Sequence, residues 1–504
     1  MAQFRPFGVF ILLYLLLFFI KLLNFDYAFS WSRSFGGWNG DAFFWSFAGQ
    51  VLALEGWTYL KELVSTFPKP FMQMPFQGLL SPIYTLLVFI FYKLGLSLKF
   101  LWYTAIVIYG LSFYFMDRIL KELGFSITGR FITLLAVFLS PYTLQLSFKL
   151  RPDNFAFVFA LLGLFFILKN RHLIAGILFS ISVFGFKIQL AGWIPIAVYF
   201  LFIADKRDLK KKLVSLAMFV MPIVLAAISY LAWYTYLSDL LPLLIEKLKE
   251  ANTIHTRYMF NTYHKLNLLQ LIGLIGLGLL GIIYLYSWLP VMKILTGKSL
   301  VPSPFPHRSL YSTFILEMGL GFMYEISKRF KKRISRIVML SFLFGSIAVF
   351  SAWSIKSFIT DWKYAKIEDN FYRKIVQLSN EGKVCSYEYY YVPAQYLRLF
   401  VETPNLPYLP YPISENCDYY AIFVSHLSNK STIKVFDKEL HIGDYAIFDS
   451  KGNLIFFEQT AYSSVNPKYY LKFSRTAYLI ALTLWIIILL ETIGFPAIIK
   501  LPKS

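Results

Sequence analysis

The chain has 504 residues, of which 57% are hydrophobic and only 15% charged, with a mean hydropathy of +0.57. A soluble protein needs roughly a quarter of its residues charged to cover its surface, so this composition excludes an ordinary water-soluble enzyme and leaves most of the surface facing lipid. The formal net charge of +21 gathers in short loops between apolar runs, at Lys169-Asn170-Arg171, Asp205 to Lys212 and Lys328 to Arg336; that is the positive-inside pattern of a membrane protein against anionic lipid, and it argues against nucleic acid as a partner.

The first apolar run, 7–24, follows Arg5 and is not followed by a small-x-small cleavage site, since Asn24-Phe25-Asp26-Tyr27 comes next. It reads as an uncleaved transmembrane helix with a cytoplasmic N-terminus. A run of about 18 to 20 apolar residues suffices to span a bilayer. Further candidates are 99–117, 131–149, 154–168, 173–186, 188–204, 213–236, 267–288, 309–325, 337–355 and 474–498, with 80–97 either a crossing or an interfacial helix. The stretch 267–297 would be about 46 Å long as one helix, too long for one upright crossing, and reads as two short passes. The expectation is an all-α polytopic membrane protein with about 11–13 transmembrane helices.

Charge orients these spans. Arg118, Lys121 and Arg130 fall inside, so Arg151-Pro152-Asp153 emerges outside; Lys169 to Arg171 are inside, Lys187 outside, Asp205 to Lys212 inside and the 237–266 loop outside. Two long stretches are not membrane-spanning. The first, 25–79, carries Trp, Gly and Pro with amphipathic pieces such as Asp41 to Leu54. The second, 357–472, alternates in strand fashion at Val384 to Tyr389 and Tyr419 to Val424, with a turn signal at Asp449-Ser450-Lys451-Gly452. It predicts a small extracytoplasmic α/β domain near the C-terminus. Both cysteines, Cys385 and Cys417, fall in it; they form a disulfide in an oxidising compartment, or Cys385 is simply a buried strand residue. Asn429-Lys430-Ser431 matches an N-glycosylation acceptor, a common tripeptide.

Phosphate-loop, dinucleotide, serine-hydrolase and zinc motifs are all absent from the sequence. The informative signal is which ionisable residues sit at the outer membrane edge, because a charge near lipid is costly. Asp41, in the aromatic setting Trp38-Asn39-Gly40-Asp41-Ala42-Phe43-Phe44-Trp45, is a general base, a ligand for a divalent cation, or an N-cap. Asp153, after Arg151-Pro152, is a second carboxylate facing the same side, or a first-turn acid complementing the helix dipole. Lys187, between two apolar runs, binds a phosphate or reaches out to the interface. His255, Arg257, His264 and Lys265 cluster in one external loop, and His307-Arg308 precedes another span. The spacing of His255 and His264 is not that of a helical metal pair, and a metal-free site stays open beside a cation-dependent one.

Taken in order, these pieces resemble the GT-C superfamily of glycosyltransferases, and within it the protein-mannosyltransferase and aminoarabinose-transferase type. The resemblance covers roughly 1–355. It rests on one helix followed by an external loop bearing an acid (Asp41), Leu80-Ser81-Pro82-Ile83-Tyr84 leading an apolar helix that ends Phe91-Tyr92-Lys93-Leu94-Gly95, Ser140-Pro141, Arg151-Pro152-Asp153, a small-residue helix from Ala175-Gly176 to Phe186-Lys187, and His307-Arg308 with Tyr311. Ser81 stands where the family element carries His, and Ala42 where a second acid follows the first.

The resemblance implies a membrane glycosyltransferase that moves a sugar from a polyprenyl-phosphate carrier to a protein, lipid or glycan acceptor on the extracytoplasmic face, with inversion. Asp41 would be the general base and Asp153 its partner, orienting the acceptor or holding a cation. Lys187 and Arg308 would bind the carrier phosphate, with Arg151 and Arg257 beside them, and Trp38 and Trp45 would stack on the sugar. The domains expected are a GT-C-like transmembrane catalytic module, 1–356, including the external loop 25–79; the α/β domain, 357–472; and a last helix with a short cytoplasmic tail, 473–504. The alternative from another class is a transporter or flippase of a lipid-linked saccharide, and a third is a non-catalytic assembly protein.

Overall fold

A computed structural model describes residues 5–26, 41–66, 77–144, 146–148, 150–204, 208–236, 265–277, 314–330, 333–387, 416–424, 432–441, 443–459 and 470–472. The described chain is mostly helical, with a small sheet region towards the C-terminus. Four helices, Pro6–Asn24, Leu98–Glu122, Leu209–Trp233 and Arg333–Lys356, are long and apolar enough to cross a membrane by length and composition, which is consistent with a membrane location. Their outer faces are apolar: Leu12, Leu225, Ile228 and Ile334 are all more than half exposed, as lipid-facing residues would be.

The core begins with α1 (Pro6–Asn24) against α5 (Leu98–Glu122). The pair is antiparallel, because Phe10 stacks on Phe113 while Phe18 meets Trp102. Helix α8 (Pro152–Leu168) runs parallel to α5, with Tyr109 on Phe157 and Phe115 on Phe165. Lys169 then closes on Glu122 at 2.7 Å. Between α5 and α8 lie α6 (Ile127–Phe138) and the single turn α7 (Pro141–Leu144). The expected span 131–149 is therefore not one helix. It breaks at Ser140-Pro141, because Pro141 has no N–H to continue the ladder.

The broken segment is buried, so its carbonyls need donors from elsewhere. Lys21 Nζ reaches Leu144 O at 3.0 Å and lies 3.7 Å from the Phe148 ring centroid. Trp102 Nε1 donates to Phe148 O, Asn154 Nδ2 to Ser147 O, and the Tyr14 hydroxyl to Ser147 Oγ. Three helices thus hold one stretch of irregular backbone in place.

The next two expected spans, 173–186 and 188–204, are also irregular. Helix α9 (His172–Ser180) widens into a π-helical turn, Ile181–Phe186; a 3-10 stretch, Ile188–Trp193, then leads into α10 (Ile194–Ala204). Helix α11 (Leu209–Tyr236) packs on α9 where Gly176 meets the Phe219 carbonyl. The stretch 25–79 contains α2 (Asp41–Leu54) and α3 (Gly56–Thr66), and α4 (Pro82–Lys93) follows a short 3-10 turn. Gly49 lets α2 lie directly on α4: a Cβ there would sit 2.7 Å from Thr85 O and Val88 Cβ.

Helices α12 (Leu268–Leu277) and α13 (Ile315–Ser327) pack in parallel, with Gly273 against Leu316 and Gly319, and Gly276 against Gly319 and Met323. The far end of α13 is pinned to the start of α6 by Glu325 Oε1, which accepts from Ser126 N and Oγ. The segments 237–264, 278–313 and 473–504, with the expected last helix 474–498, lie outside the described residues.

The domain boundary expected at 356/357 falls inside a helix. Helix α14 (Arg333–Ser379) is continuous for 47 residues; hydropathy falls near Lys356 but the helical pattern of apolar residues does not stop. Phe371, Tyr372, Ile375 and Leu378 pack on a four-stranded sheet ordered β2-β3-β6-β7. Its strands are β2 (Val384–Tyr387), parallel to β3 (Tyr419–Phe423), then β6 (Asp444–Asp449) and β7 (Leu454–Gln459), both antiparallel. A hairpin of β4 (Thr432–Val435) and β5 (Lys438–His441) stands beside it. The strands read from alternation and the turn at 449–452 are present. Cys385 and Cys417 form a disulfide across the start of β2 and β3, with Cα atoms 5.9 Å apart. Finally, β1 (Lys265–Asn267) pairs antiparallel with β8 (Tyr470–Lys472).

Candidate functional site

The site is built where two helix breaks meet. The first is the start of α8. Arg151 is extended (φ −144°, ψ 152°), Pro152 occupies the first helical position, and Asp153 lies in the first turn. Proline costs nothing there, because its missing N–H would have no intrahelical partner anyway. Asp153 is fully buried, and its Oδ2 lies 3.0 Å from Arg151 Nε. The carboxylate is thus not merely facing the helix dipole; it is engaged by charge.

The second break is the end of the π-helical turn after α9. Lys187 N donates to Ser182 O at 2.8 Å, closing the turn, and Lys187 itself is extended (φ −150°, ψ 98°) before the 3-10 stretch begins. Neighbours fix this turn from both sides. The Ser182 hydroxyl donates to Ala156 O of α8 at 2.7 Å, Phe186 stacks on Phe155 at 5.4 Å, and the Ser81 hydroxyl donates to Phe186 O. Lys187 is only 4% exposed, and its Nζ lies 3.6 Å from Asp153 Oδ2. It does not reach out to an interface.

Helix α2 supplies the cover. The ammonium of Lys187 lies 3.7 Å from the ring centroid of Trp45, which is itself 5% exposed. Asp41 opens α2 one turn before Trp45, about 6 Å back along the axis. Beside Trp45, Ser46 Oγ and the Tyr84 hydroxyl are 3.3 Å apart, which joins α2 to α4 immediately after Ser81-Pro82.

Four residues singled out from the sequence therefore meet: Trp45, Arg151, Asp153 and Lys187. Two of them are cations sharing one carboxylate oxygen, beside the rings of Trp45, Phe155 and Phe186. Burial makes each such contact stronger than it would be in water. Three other candidates, Trp38, Arg257 and Arg308, lie outside the described residues, as do His255, His264, His307 and Tyr311. Among the described residues no group of three or more His, Cys, Asp and Glu side chains gathers where it could hold a metal ion.

Sequence reasoning missed several polar residues here. Ser81 was noticed only as a departure from the family pattern, yet it is the residue that grips the Lys187 turn. Tyr84 and Ser46 gave no signal of their own. Lys21 and Glu317 did: a charge inside an apolar run was readable in each case. Glu317, fully buried in the first turn of α13, places an acid within the expected span 309–325.

Compared with protein-family models, with curated proteins and with solved structures, the chain finds no match.

Proposed function

We propose that this chain is a polytopic membrane glycosyltransferase using a polyprenyl-phosphate-linked sugar, with its site on the extracytoplasmic face. The observation that carries the reading is the convergence of Arg151, Asp153 and Lys187 under Trp45, from three separate elements, with Asp41 one turn away on the covering helix. A carrier with a long isoprenoid tail reaches only a site bordered by lipid, and its phosphate needs cations at that depth. Lys187 and Arg151 are those cations, joined in this reading by Arg308 and Arg257. Asp41 removes the proton from the acceptor hydroxyl as it attacks the anomeric carbon, and the carrier phosphate leaves with the bonding pair, its charge met by the cations. Asp153 keeps both cations in register.

The topology supports this reading. Helix α1 runs antiparallel to α5, and α5 and α8 run parallel with the broken α6–α7 segment between them in sequence, as successive crossings would have it. Helices α12 and α13 pack in parallel, as they would if 267–297 made two passes. The total proposed is about 11–13 crossings. The disulfide fits an oxidising, extracytoplasmic side for the sheet domain, with the N-terminus cytoplasmic.

The test is sugar transfer from a labelled polyprenyl-phosphate-sugar pool by purified wild type and Asp41→Asn. Product with wild type alone supports the class and the base together. Equal product from both removes Asp41 from the mechanism. A transporter of a lipid-linked saccharide is the second reading, favoured by the buried acid Glu317; flux into liposomes without covalent transfer would replace the first reading with it.

A further inference from the structure

We infer that Trp45 recognises its ligand through the indole N–H, by donating to an oxygen of the anionic group that Lys187 and Arg151 hold, and not by stacking on a sugar. The inference rests on the anion site of the proposed function and assigns a role within it.

Two observations lead there. The first concerns the ring. One face of the indole is taken by the Lys187 ammonium at 3.7 Å, and the whole side chain is 5% exposed. A stacking platform needs an open face, and little of this one is open. The second concerns the nitrogen. Among the described residues the buried Nε1 of Trp45 meets no acceptor. Indole nitrogen is a donor only, and a buried donor without an acceptor has given up its hydration for nothing. Such a group beside the Lys187 ammonium, which shares a carboxylate oxygen with Arg151, calls for an acceptor, and one that cations also favour.

A phosphate fits that description. Its non-bridging oxygens accept and do not donate, and one can take the indole hydrogen while another faces the ammonium. A neutral sugar hydroxyl would satisfy the indole but gain little from Lys187. The Lys187–Trp45 contact then has two functions: the ring orients the ammonium by attraction to its face, and its edge adds a third donor to the same anion.

Trp233 provides the comparison. Among the described residues its Nε1 is also buried without an acceptor, and its ring packs on Trp57. Removing the N–H at both positions is the same atomic change in two settings.

The experiment is equilibrium binding of a polyprenyl monophosphate in detergent to the full-length protein, with inorganic phosphate as a second probe. Wild type, Trp45→Phe and Trp233→Phe are compared. Site-specific benzothienylalanine at 45, which replaces N–H by sulfur and keeps the bicyclic ring, serves if the phenylalanine variant does not fold. Loss of an uncompensated charge-assisted hydrogen bond should weaken binding at least tenfold in the position-45 variants, with Trp233→Phe unchanged. Equal affinity of wild type and the position-45 variants overturns the inference and leaves the proposed function intact. The same loss seen with inorganic phosphate, but no tighter binding of the lipid, keeps the indole donor and overturns the polyprenyl reading. Binding of neither probe by wild type overturns both.

Discussion

Lys187 Nζ lies 3.6 Å from Asp153 Oδ2, the same oxygen that Arg151 Nε approaches at 3.0 Å. One buried carboxylate atom thus balances charge from a helix N-terminus and from the end of a π-helical turn. Removing it leaves two cations facing each other in a low-dielectric setting. Asp153→Ala should destabilise the protein by about 3–5 kcal/mol, the usual result of breaking one side of a buried pair. Lys187→Met in the same chain should recover part of that loss. Thermal melting of the detergent-purified single and double variants measures the coupling; strictly additive effects would show that the two side chains do not depend on each other.

Ser81 tests how Lys187 is placed. Its hydroxyl donates to the Phe186 carbonyl, one residue before Lys187. Ser81→Ala should cost about 1 kcal/mol of stability, too little to unfold the protein. The larger effect should be on KM for the lipid donor, since the ammonium that binds it loses a fixed backbone. A change in kcat with KM unaltered would place Ser81 elsewhere in the mechanism.

The contact of α12 with α13 depends on three glycines, Gly273, Gly276 and Gly319. A Cβ on Gly273 would lie 1.8 Å from the Leu316 carbonyl oxygen, a distance no backbone can accept without moving. Gly273→Ala should therefore destabilise by about 1–3 kcal/mol through overpacking. Gly345, in α14, meets nothing within 4 Å, and Gly345→Ala should be neutral or slightly stabilising, as alanine favours a helix more than glycine does. Melting temperatures that fall equally in the two variants would mean that the close approach is not what Gly273 provides.

The β6–β7 turn has a pH dependence of defined sign. Asp449 is held below the usual carboxylate range, first by the Asn453 side-chain amide, against a burial effect that raises it, and then by the backbone N–H groups of Asn453 and Lys451 and the Lys451 charge. A lowered folded value means that this stabilisation is present above the unfolded value of about 3.9. It is lost as pH falls through the folded one. Hydrogen exchange of 444–459 in the full protein, corrected for intrinsic rates, should show protection falling below about pH 4. Asn453→Ala should lower the protection at pH 6 and flatten the profile. Parallel profiles for both proteins would remove Asn453 as the cause.

The site was more legible than the helices that carry it. Arg151-Pro152-Asp153, Lys187 and Trp45 stood out because each was a charge or a large aromatic at the edge of an apolar run. What periodicity could not give was the form of the breaks. Pro141 marked the first, but nothing in Ile181 to Phe186 distinguishes a π-helical turn from an α-helical one, so two irregular spans read as regular. The fall in hydropathy after Lys356, where the sequence places a domain boundary, gives no sign that the helix continues. The apolar residues Phe371, Ile375 and Leu378 keep a helical spacing across that region, and following it would have carried the helix to the sheet. Ser81 and Tyr84 are polar atoms whose partners lie far away in sequence, and no local pattern announces such a contact.

The unbroken run from Arg333 to Ser379 has a mechanical consequence. At 1.5 Å per residue its 47 residues make a rod about 70 Å long, and the sheet is fastened to the last turns of that rod by Phe371, Tyr372, Ile375 and Leu378. There is no joint along it. A tilt or twist of the end near Arg333 is transmitted as torque to the sheet, so the two ends swing together as the arms of one lever.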